Sequence, residues 1–496
     1  MRTVAEMLRW RARRHPELAA SWFQGRTRTY AELDRSTSEL AAGLLASGVK
    51  PGDHVCILDK NSDAYYELML AVTKAGAIAT PINWRLTPAE VAKVADDARP
   101  VLMVTGAEFK AVAEEAGQRP LNFDQLVRKR GAADPRLDAE SSVAWQLYTS
   151  GTTGLPKGAM LTNLNLVGLL SSFSLEIPEM RQGGRSLVAM PLYHIGGSGW
   201  ANAAMATGSC MVMTREVIPQ ELLQVIAEQR VETAFLVPAV LLFMTQLPEA
   251  GAADFSSLKN VLYGASPITP AVLQRAIETF KCRFTQVYGL TETTGAITYL
   301  QFEDHQGERL LSCGRSGFGG DLAILDPEGR ELPQGELGEI VYRGPGIMAG
   351  YWNRPDDTAA VIREGWFHTG DAGTMDAEGF IYVKDRIKDM IVSGGENIYP
   401  AELEAVLAGH PAVADVAVIG VPDARWGETV KAIVVRKPGV ELSEGELIEW
   451  SRDKLAGFKR PHSVDFVEAI PRNPSGKILK RQLREPYWAG ATRQVN

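Results

Sequence analysis

The chain has few cysteines and no long apolar run, and each absence excludes a class of protein. Its four cysteines, Cys56, Cys210, Cys282 and Cys313, are scattered without C-x-x-C spacing. This scatter excludes a zinc knuckle or a disulfide framework. No stretch of about eighteen apolar residues occurs, and arginines interrupt the N-terminal segment where a signal peptide would be apolar. We therefore expect a cytoplasmic protein that does not span a membrane.

The chain also lacks an excess of basic charge. It carries 52 Lys and Arg against 60 Asp and Glu, for a net charge of −8, which argues against a broad nucleic-acid-binding face. Its 496 residues are too many for one ordinary core, so at least two domains are expected. The sequence does not decide between a monomer and a homodimer.

The first predicted helix is amphipathic and leaves two interpretations open. Val4, Met7 and Leu8 share a segment with several arginines. An ordinary first helix of the domain packs such an apolar face on the core. A helix of this kind also makes weak contact with an anionic membrane surface in some proteins.

Short apolar runs alternate with helix-like segments over residues 52–287. Residues 55–58 predict a strand, and Thr87-Pro88 predicts the N-cap and first residue of a helix to about Ala98. This repeated β-α-β pattern indicates an α/β architecture with largely parallel sheets.

The pattern changes past residue 313. Short strands separated by glycine and proline predict a small β subdomain, and a charged segment, residues 384–389, follows it. The tail then has its own alternation of helices and strands, which predicts a separate α+β domain. Its predicted helices are 400–407 and 443–455, and its predicted strands are 413–419, 430–435 and 463–467.

The segment from Tyr148 to Met160 carries the strongest chemical signal. It follows an apolar strand-like run and combines glycines, hydroxyl side chains and Lys157. Glycines let backbone N–H groups approach an anion, and the lysine adds a positive charge. The order differs from a Walker A loop, and a flexible surface loop is the alternative interpretation. The predicted phosphate-binding residues are Thr149, Ser150, Gly151, Thr152, Thr153, Gly154 and Lys157.

This loop resembles the signature loop of the adenylate-forming family, which includes acyl-CoA synthetases, peptide-synthetase adenylation domains and beetle luciferases. Five further segments match that family in order and approximate spacing, so the resemblance covers nearly the whole chain. It implies a large N-terminal domain, residues 1–387, of two mostly parallel αβα-layered sheets plus a small β subdomain. A smaller, mobile α+β C-terminal domain, residues 388–496, follows a hinge near 385–389.

The resemblance assigns roles to residues 288–292, Tyr-Gly-Leu-Thr-Glu. It implies that Tyr288 stacks on adenine beside Gly289, that Thr291 binds phosphate and that Glu292 holds Mg²⁺. A carboxylate is a hard oxygen ligand suited to a magnesium that bridges nucleotide phosphates. Three further residues are assigned to the ATP site: Gly264, Ala265 and Ser266.

Later segments supply the remaining roles that the resemblance implies. Asp371 is expected to accept hydrogen bonds from both ribose hydroxyls, and Arg386 to contact ribose or phosphate. Lys388 matches the pivot of the hinge. Gly394 and Gly395 match the segment that lines the pantetheine tunnel of coenzyme A.

Lys477, in Pro-Ser-Gly-Lys, matches the lysine of the adenylation step. Its ammonium can offset negative charge on the carboxylate and the α-phosphate together. The implied catalytic residues are Lys477, Thr291, Glu292 and His194.

The resemblance places His194 beside the reacting carboxylate. No aspartate follows Tyr193, as in amino-acid adenylation domains, and no asparagine follows His194, as in activators of 2-hydroxy aryl acids. The predicted pocket is apolar and suits an aliphatic or unsubstituted aromatic tail. Its assigned residues are His194, Trp200, Leu236, Gly264 and Ala296.

The closest resemblance is to bacterial medium- to long-chain fatty-acyl-CoA ligases. It implies ATP and Mg²⁺ as cofactors, a carboxylic acid and coenzyme A as co-substrates, and an acyl-AMP intermediate. An adenylate-forming amide synthetase differs only in its acceptor and stays open as an alternative. A non-catalytic acyl-nucleotide sensor is the third hypothesis, although a sensor would not need Glu292, Asp371 and Lys477 together.

Overall fold

The computed structural model describes residues 1–149, 156–266, 268–393, 396–423, 425–472 and 478–489. Within it the chain forms two compact units. The first unit consists of residues 1–322 and 342–367, and the second of residues 323–341 and 368–496.

The secondary-structure elements are numbered along the chain. The helices are α1 (Val4–Arg14), α2 (Tyr30–Ala46), α3 (Asp63–Lys74), α4 (Pro88–Ala98), α5 (Lys110–Glu115), α6 (Asn163–Glu176), α7 (Ile195–Thr207), α8 (Pro219–Glu228), α9 (Pro238–Gln246), α10 (Pro270–Phe280), α11 (Pro355–Val361), α12 (Pro400–Ala408), α13 (Glu444–Trp450) and α14 (Lys480–Trp488). The strands are β1 (Ala19–Phe23), β2 (Arg26–Thr29), β3 (His54–Leu58), β4 (Ile78–Pro81), β5 (Leu102–Thr105), β6 (Leu121–Asn122), β7 (Val143–Thr149), β8 (Lys157–Thr162), β9 (Arg185–Val188), β10 (Cys210–Met213), β11 (Thr233–Leu236), β12 (Asn260–Gly264), β13 (Arg283–Leu290), β14 (Gly295–Leu300), β15 (Arg315–Ser316), β16 (Asp321–Leu325), β17 (Gly338–Arg343), β18 (Gly350–Tyr351), β19 (Ile362–Arg363), β20 (Trp366–Met375), β21 (Ile381–Arg386), β22 (Ile391–Ser393), β23 (Glu396–Ile398), β24 (Val413–Asp423), β25 (Gly427–Arg436) and β26 (Ser463–Phe466).

Two large sheets carry the first unit. One has the order β15-β14-β13-β12-β11-β9-β10-β1-β2 and the other β18-β8-β7-β4-β3-β5-β6. Their central strands pair in parallel, whereas β2, β8, β14, β15 and β18 pair antiparallel at or near the edges. The predicted fold class, with two mostly parallel sheets, is confirmed.

Local sequence signals fix several helix starts. Thr87 caps α4 through a capping box with Glu90, and Pro88 is its first residue, as predicted from the Thr-Pro pair. At α10 the Thr269 side chain accepts a hydrogen bond from the Val272 amide, and Pro270 is the first helical residue. These signals act within a few residues, so they can be recognised without knowledge of the tertiary structure.

The N-terminal helix α1 packs on the core of the first unit. Val4, Met7 and Leu8 are buried, and Trp10 is exposed. The apolar face that a membrane surface would take up is therefore already used in packing, which supports the interpretation as an ordinary first helix. No helix in the described part of the chain combines the length and the apolar character needed to cross a bilayer.

Two further sheets follow. A small sheet has the order β16-β17-β20-β19, with β21 paired to β20, and corresponds to the predicted β subdomain. The last sheet, in the second unit, has the order β23-β22-β25-β24 with β26 on β25. Helix α13 ends at Trp450, before the predicted end at 455. The residues after it continue as turns, in which the Leu455 amide donates to the Ser451 carbonyl at 2.9 Å.

The second unit begins earlier in the chain than the predicted domain boundary at 387/388. Strand β21 belongs to it, and the Asp385 carboxylate at its end accepts a hydrogen bond of 2.8 Å from the Ala401 amide. The Lys480 ammonium lies 3.9 Å from the same carboxylate. These contacts tie β21 to α12 and α14. The hinge near 385–389 stays a prediction.

Candidate active site

The carboxyl ends of β12 and β13 lie side by side in the nine-stranded sheet. Gly264 is buried and pairs with Val287, and a Cβ at this position would lie 2.1 Å from the Val287 carbonyl oxygen. Ala265 follows with φ of 66°, a left-handed conformation that costs a non-glycine residue about 1–2 kcal/mol. The predicted ATP-site residues 264–266 therefore lie at the sheet edge where open α/β folds bind ligands.

Strand β13 carries the second group of predicted nucleotide residues. Its pairing with β14 shifts register between Tyr288 and Gly289, and a Cβ on Gly289 would lie 1.8 Å from the Gly295 carbonyl oxygen. A single 3₁₀ turn, Thr291–Thr293, follows directly. Thr291 is buried and Glu292 half-buried, so the chain leaves the sheet edge with these two polar side chains next to each other.

Glu292 fits the role of a magnesium ligand. Its Oε1 accepts a hydrogen bond of 2.8 Å from the Tyr351 hydroxyl, and Oε2 has no hydrogen-bond donor among the described residues. Within the same residues no group of three or more His, Cys, Asp or Glu side chains could hold a metal. A single carboxylate is the usual protein share of a magnesium bound mainly through nucleotide phosphates.

The ends of the predicted phosphate loop form the base of the β7–β8 hairpin. Thr149 pairs with Lys157 across it, and the Lys157 ammonium lies 2.6 Å from Asp357 Oδ1. The same ammonium is 5.2 Å from the centre of the Tyr351 ring. Lys157 and Glu292 thus both contact Tyr351.

His194 is the N-cap of α7. Its Nδ1 accepts a hydrogen bond of 3.1 Å from the Gly196 amide, which in a neutral ring assigns the proton to Nε2. Burial lowers the pKa of His194 to about 4. The ring is therefore neutral at pH 7 and presents an N–H donor.

His54 provides a test of how buried histidines respond to pH. Its Nδ1 lies 3.1 Å from the Thr80 hydroxyl, and burial lowers its pKa to about 4 from 6.5. The unfolded chain binds more protons between these values, so stability is full above about pH 6.5 and falls as pH drops toward 4. We expect this histidine to contribute up to about 3 kcal/mol to that loss. Urea unfolding at pH 7, 6 and 5 should show a shallower pH dependence for His54→Asn; identical slopes would contradict the assignment.

The predicted acyl pocket contains an aromatic layer. The ring of Trp200 packs edge-on against Phe173, with centroids 5.6 Å apart, and lies 6.3 Å from Phe235. Trp200 is 5% exposed, and Leu236 is fully buried. A Cβ on Gly196 would lie 2.8 Å from Phe235, so the glycine allows that ring to approach α7. Ala296, the second residue of β14, is half-buried.

Two predicted nucleotide residues belong to the second unit. Asp371 and Arg386 pair across β20 and β21, and Arg386 Nε lies 2.6 Å from Asp371 Oδ1. The guanidinium therefore fixes the orientation of the carboxylate predicted to bind ribose.

Several predicted site residues lie outside the described part of the chain. For Lys388 only the backbone is described. The roles of Lys388 and of the residues outside the described part stay predictions. The residues are Ser150, Gly151, Thr152, Thr153, Gly154, Gly394, Gly395 and Lys477.

Two residues that contact this site could not be recognised from the sequence. Tyr351 and Asp357 lie far along the chain from Lys157 and reach it because β18 pairs with β8. Strand β18 has two residues, too few for a periodic pattern, so only the tertiary pairing identifies them.

Comparison with known proteins identifies the family. The AMP-binding enzyme family matches residues 8–352, and the AMP-binding enzyme C-terminal domain matches residues 402–477. The chain is 39% identical to the fatty acid–[acyl-carrier-protein] ligase ScoC of Streptomyces coeruleorubidus, over 100% of this chain and 98% of that protein. It is 41% identical to a feruloyl-CoA synthase of an Amycolatopsis species, over 96% and 97%.

Solved structures agree with this assignment. The amide bond synthetase McbA from Marinactinospora thermotolerans superposes with a TM-score of 0.89 at 30% identity, covering 98% of this chain and 100% of that one. The chain therefore belongs to the AMP-binding enzyme family and is an AMP-forming acid ligase. The predicted family and enzyme class are confirmed.

Proposed function

We propose that this protein joins an apolar carboxylic acid to the thiol of coenzyme A in two steps. The carboxylate oxygen attacks the α-phosphorus of ATP, the bond to the β-phosphate oxygen breaks, and acyl-AMP and pyrophosphate form. The thiol then attacks the acyl carbon, its proton is lost to solvent or a base, and AMP leaves. The first step gives the carboxylate a leaving group that it does not have by itself.

The main support for this proposal is the arrangement of Lys157 and Glu292. Both side chains contact Tyr351, so a cation suited to pyrophosphate and a carboxylate suited to Mg²⁺ lie near each other in the first unit. Magnesium held by Glu292 would neutralise phosphate charge. His194 supports acid binding, because its neutral ring offers Nε2–H as a donor to a carboxylate oxygen.

The relatives differ in the acceptor of the acyl group. Their names give an acyl carrier protein, coenzyme A and an amide product. The predicted Gly394-Gly395 match to a pantetheine tunnel favours coenzyme A. The experiment below also supplies amines, because the amide synthetase alternative requires an amine acceptor.

Acid-dependent exchange of labelled pyrophosphate into ATP tests the first step. We expect exchange with apolar acids and, after addition of coenzyme A, acyl-CoA and AMP by mass spectrometry. Acyl carrier protein and simple amines are supplied in parallel reactions. Product only with carrier protein or amine would overturn the choice of acceptor, and nucleotide binding without exchange would indicate the sensor hypothesis.

The aromatic layer favours an acid with a compact tail over the predicted medium- to long-chain fatty acid. Trp200 is buried and packs against both Phe173 and Phe235, so a long chain that passes between these rings would have to displace it. Its indole Nε1 has no hydrogen-bond partner in the described residues, so hydroxy- and methoxy-substituted aryl acids belong in the acid panel.

Trp200→Ala is expected to shift the preference toward longer chains. Removing the indole opens space, and each additional buried CH₂ contributes about 0.8 kcal/mol, which corresponds to about fourfold in kcat/KM. The check is kcat/KM across straight-chain and aryl acids for both enzymes, with Trp426→Ala, an exposed tryptophan, as control. An unchanged order of preference would contradict the proposed role of Trp200.

A further inference from the structure

Tyr351 contacts two predicted parts of the site at once. Its hydroxyl donates to Glu292 Oε1 at 2.8 Å, and the centre of its ring lies 5.2 Å from the Lys157 ammonium. The first contact is a charge-assisted hydrogen bond, and the second is within the range of a cation–π interaction. The residue thus lies between a carboxylate and a cation that have separate tasks.

The backbone holds Tyr351 in this place. Strand β18 pairs antiparallel with β8, so Tyr351 is opposite Ala159. On either side, the Trp352 amide donates to the Gly158 carbonyl and the Met348 amide donates to the Glu292 carbonyl. Residues 348–352 therefore connect the β7–β8 hairpin to the turn that contains Glu292.

Asp357 completes the contact with Lys157. It lies in the first turn of α11, and its carboxylate is 2.6 Å from the lysine ammonium. The Tyr351 amide donates to the Thr358 hydroxyl at 2.9 Å, which fixes α11 relative to β18. Residues 348–358 therefore limit the positions that both Lys157 and Glu292 can take.

We propose that Tyr351 is a positioning residue for the adenylation half-reaction. Its hydroxyl orients the Glu292 carboxylate so that Oε2 faces the magnesium of the nucleotide, and its ring, with Asp357, keeps Lys157 at the position of the departing pyrophosphate. This inference rests on the proposed function for the roles of Glu292 and Lys157. The simpler alternative is that Tyr351, which is 8% exposed, only packs in the core.

Tyr351→Phe separates these alternatives, since it removes the hydroxyl and keeps the ring. Partners that orient a metal ligand typically contribute 10–100-fold to metal affinity or activity. We expect the Mg²⁺ concentration for half-maximal pyrophosphate exchange to rise about tenfold. Transfer from supplied acyl-AMP to the acceptor should keep its rate. Tyr30→Phe is the matched control, because that hydroxyl donates to the Met205 and Ser209 carbonyls in the core.

A double-mutant cycle with Glu292→Gln tests whether the hydroxyl acts through the carboxylate. We expect Tyr351→Phe to have little further effect on Mg²⁺ dependence in the Glu292→Gln background. A packing role predicts equal losses in both half-reactions, unchanged Mg²⁺ dependence and additive effects, and any of these would overturn the proposal.

Two more measurements complete the design. Tyr351→Leu removes the ring as well and should raise the pyrophosphate KM beyond that of Tyr351→Phe; equal values would refute the contact with Lys157.

If the wild-type protein shows no exchange with any acid, the proposed function fails. The Mg²⁺-dependent shift in melting temperature with ATP then tests Tyr351 independently, and the shift should shrink in Tyr351→Phe but not in Tyr30→Phe.

Discussion

Lys477→Ala is expected to slow acyl-AMP formation by about 10²–10³-fold, the usual cost of removing one transition-state charge contact. Pentavalent phosphorus forms with additional negative charge on its oxygens, and the lysine ammonium offsets that charge. The thiol step has no such phosphorus centre. Transfer from supplied acyl-AMP should therefore retain most of its rate.

Pyrophosphate exchange and single-turnover transfer from acyl-AMP measure the two steps separately. Lys459→Ala is a suitable control, since that lysine lies in the same unit and pairs with Glu402 at 2.8 Å. It should leave both rates near those of the wild type. Equal losses in both steps for Lys477→Ala would show that the lysine is not specific to adenylation.

Glu292→Gln is expected to lower kcat/KM for MgATP by about 10²-fold. A metal that neutralises phosphate charge contributes several kcal/mol, and the amide replaces a charged oxygen ligand with a neutral one. The Tyr351 hydroxyl can still donate to the glutamine oxygen, so the local hydrogen bond need not be lost. The effect should therefore arise from the metal and not from a disturbed fold.

Measuring exchange over a range of Mg²⁺ concentrations checks this expectation. The variant should need more Mg²⁺, and its melting temperature without nucleotide should stay close to that of the wild type. Glu303→Gln, in which the exposed glutamate pairs with Arg283, is the matched control. An unchanged Mg²⁺ dependence in Glu292→Gln would rule out the metal role.

Local signals in the sequence predicted much of the fold. Thr87-Pro88 and Thr269-Pro270 fix helix starts because a cap acts within three or four residues. Alternating apolar runs predicted the parallel strands, since a buried strand needs apolar residues on both faces. The end of α13 was predicted too late, because the apolar pattern continues to the buried Leu455 through turns that follow the helix.

The chemistry of the candidate site could also be predicted from the types of residue and their order in the sequence. The loop around Lys157 and the Tyr288–Glu292 segment each combine groups that suit phosphate or Mg²⁺. The distances between these two segments could not be predicted from the sequence. Contacts between residues that are far apart in the chain depend on which strands pair.

The sequence by itself determined the family, the enzyme class and the α/β fold, because these depend on motifs and periodicities contained within short segments. Only the tertiary structure showed that Tyr351 contacts both Glu292 and Lys157 and that Asp357 pairs with Lys157. It also showed the aromatic layer around Trp200. The physical reason is the same in each case: β18 pairs with β8, and α6, α7 and β11 pack together, through contacts that no local pattern encodes.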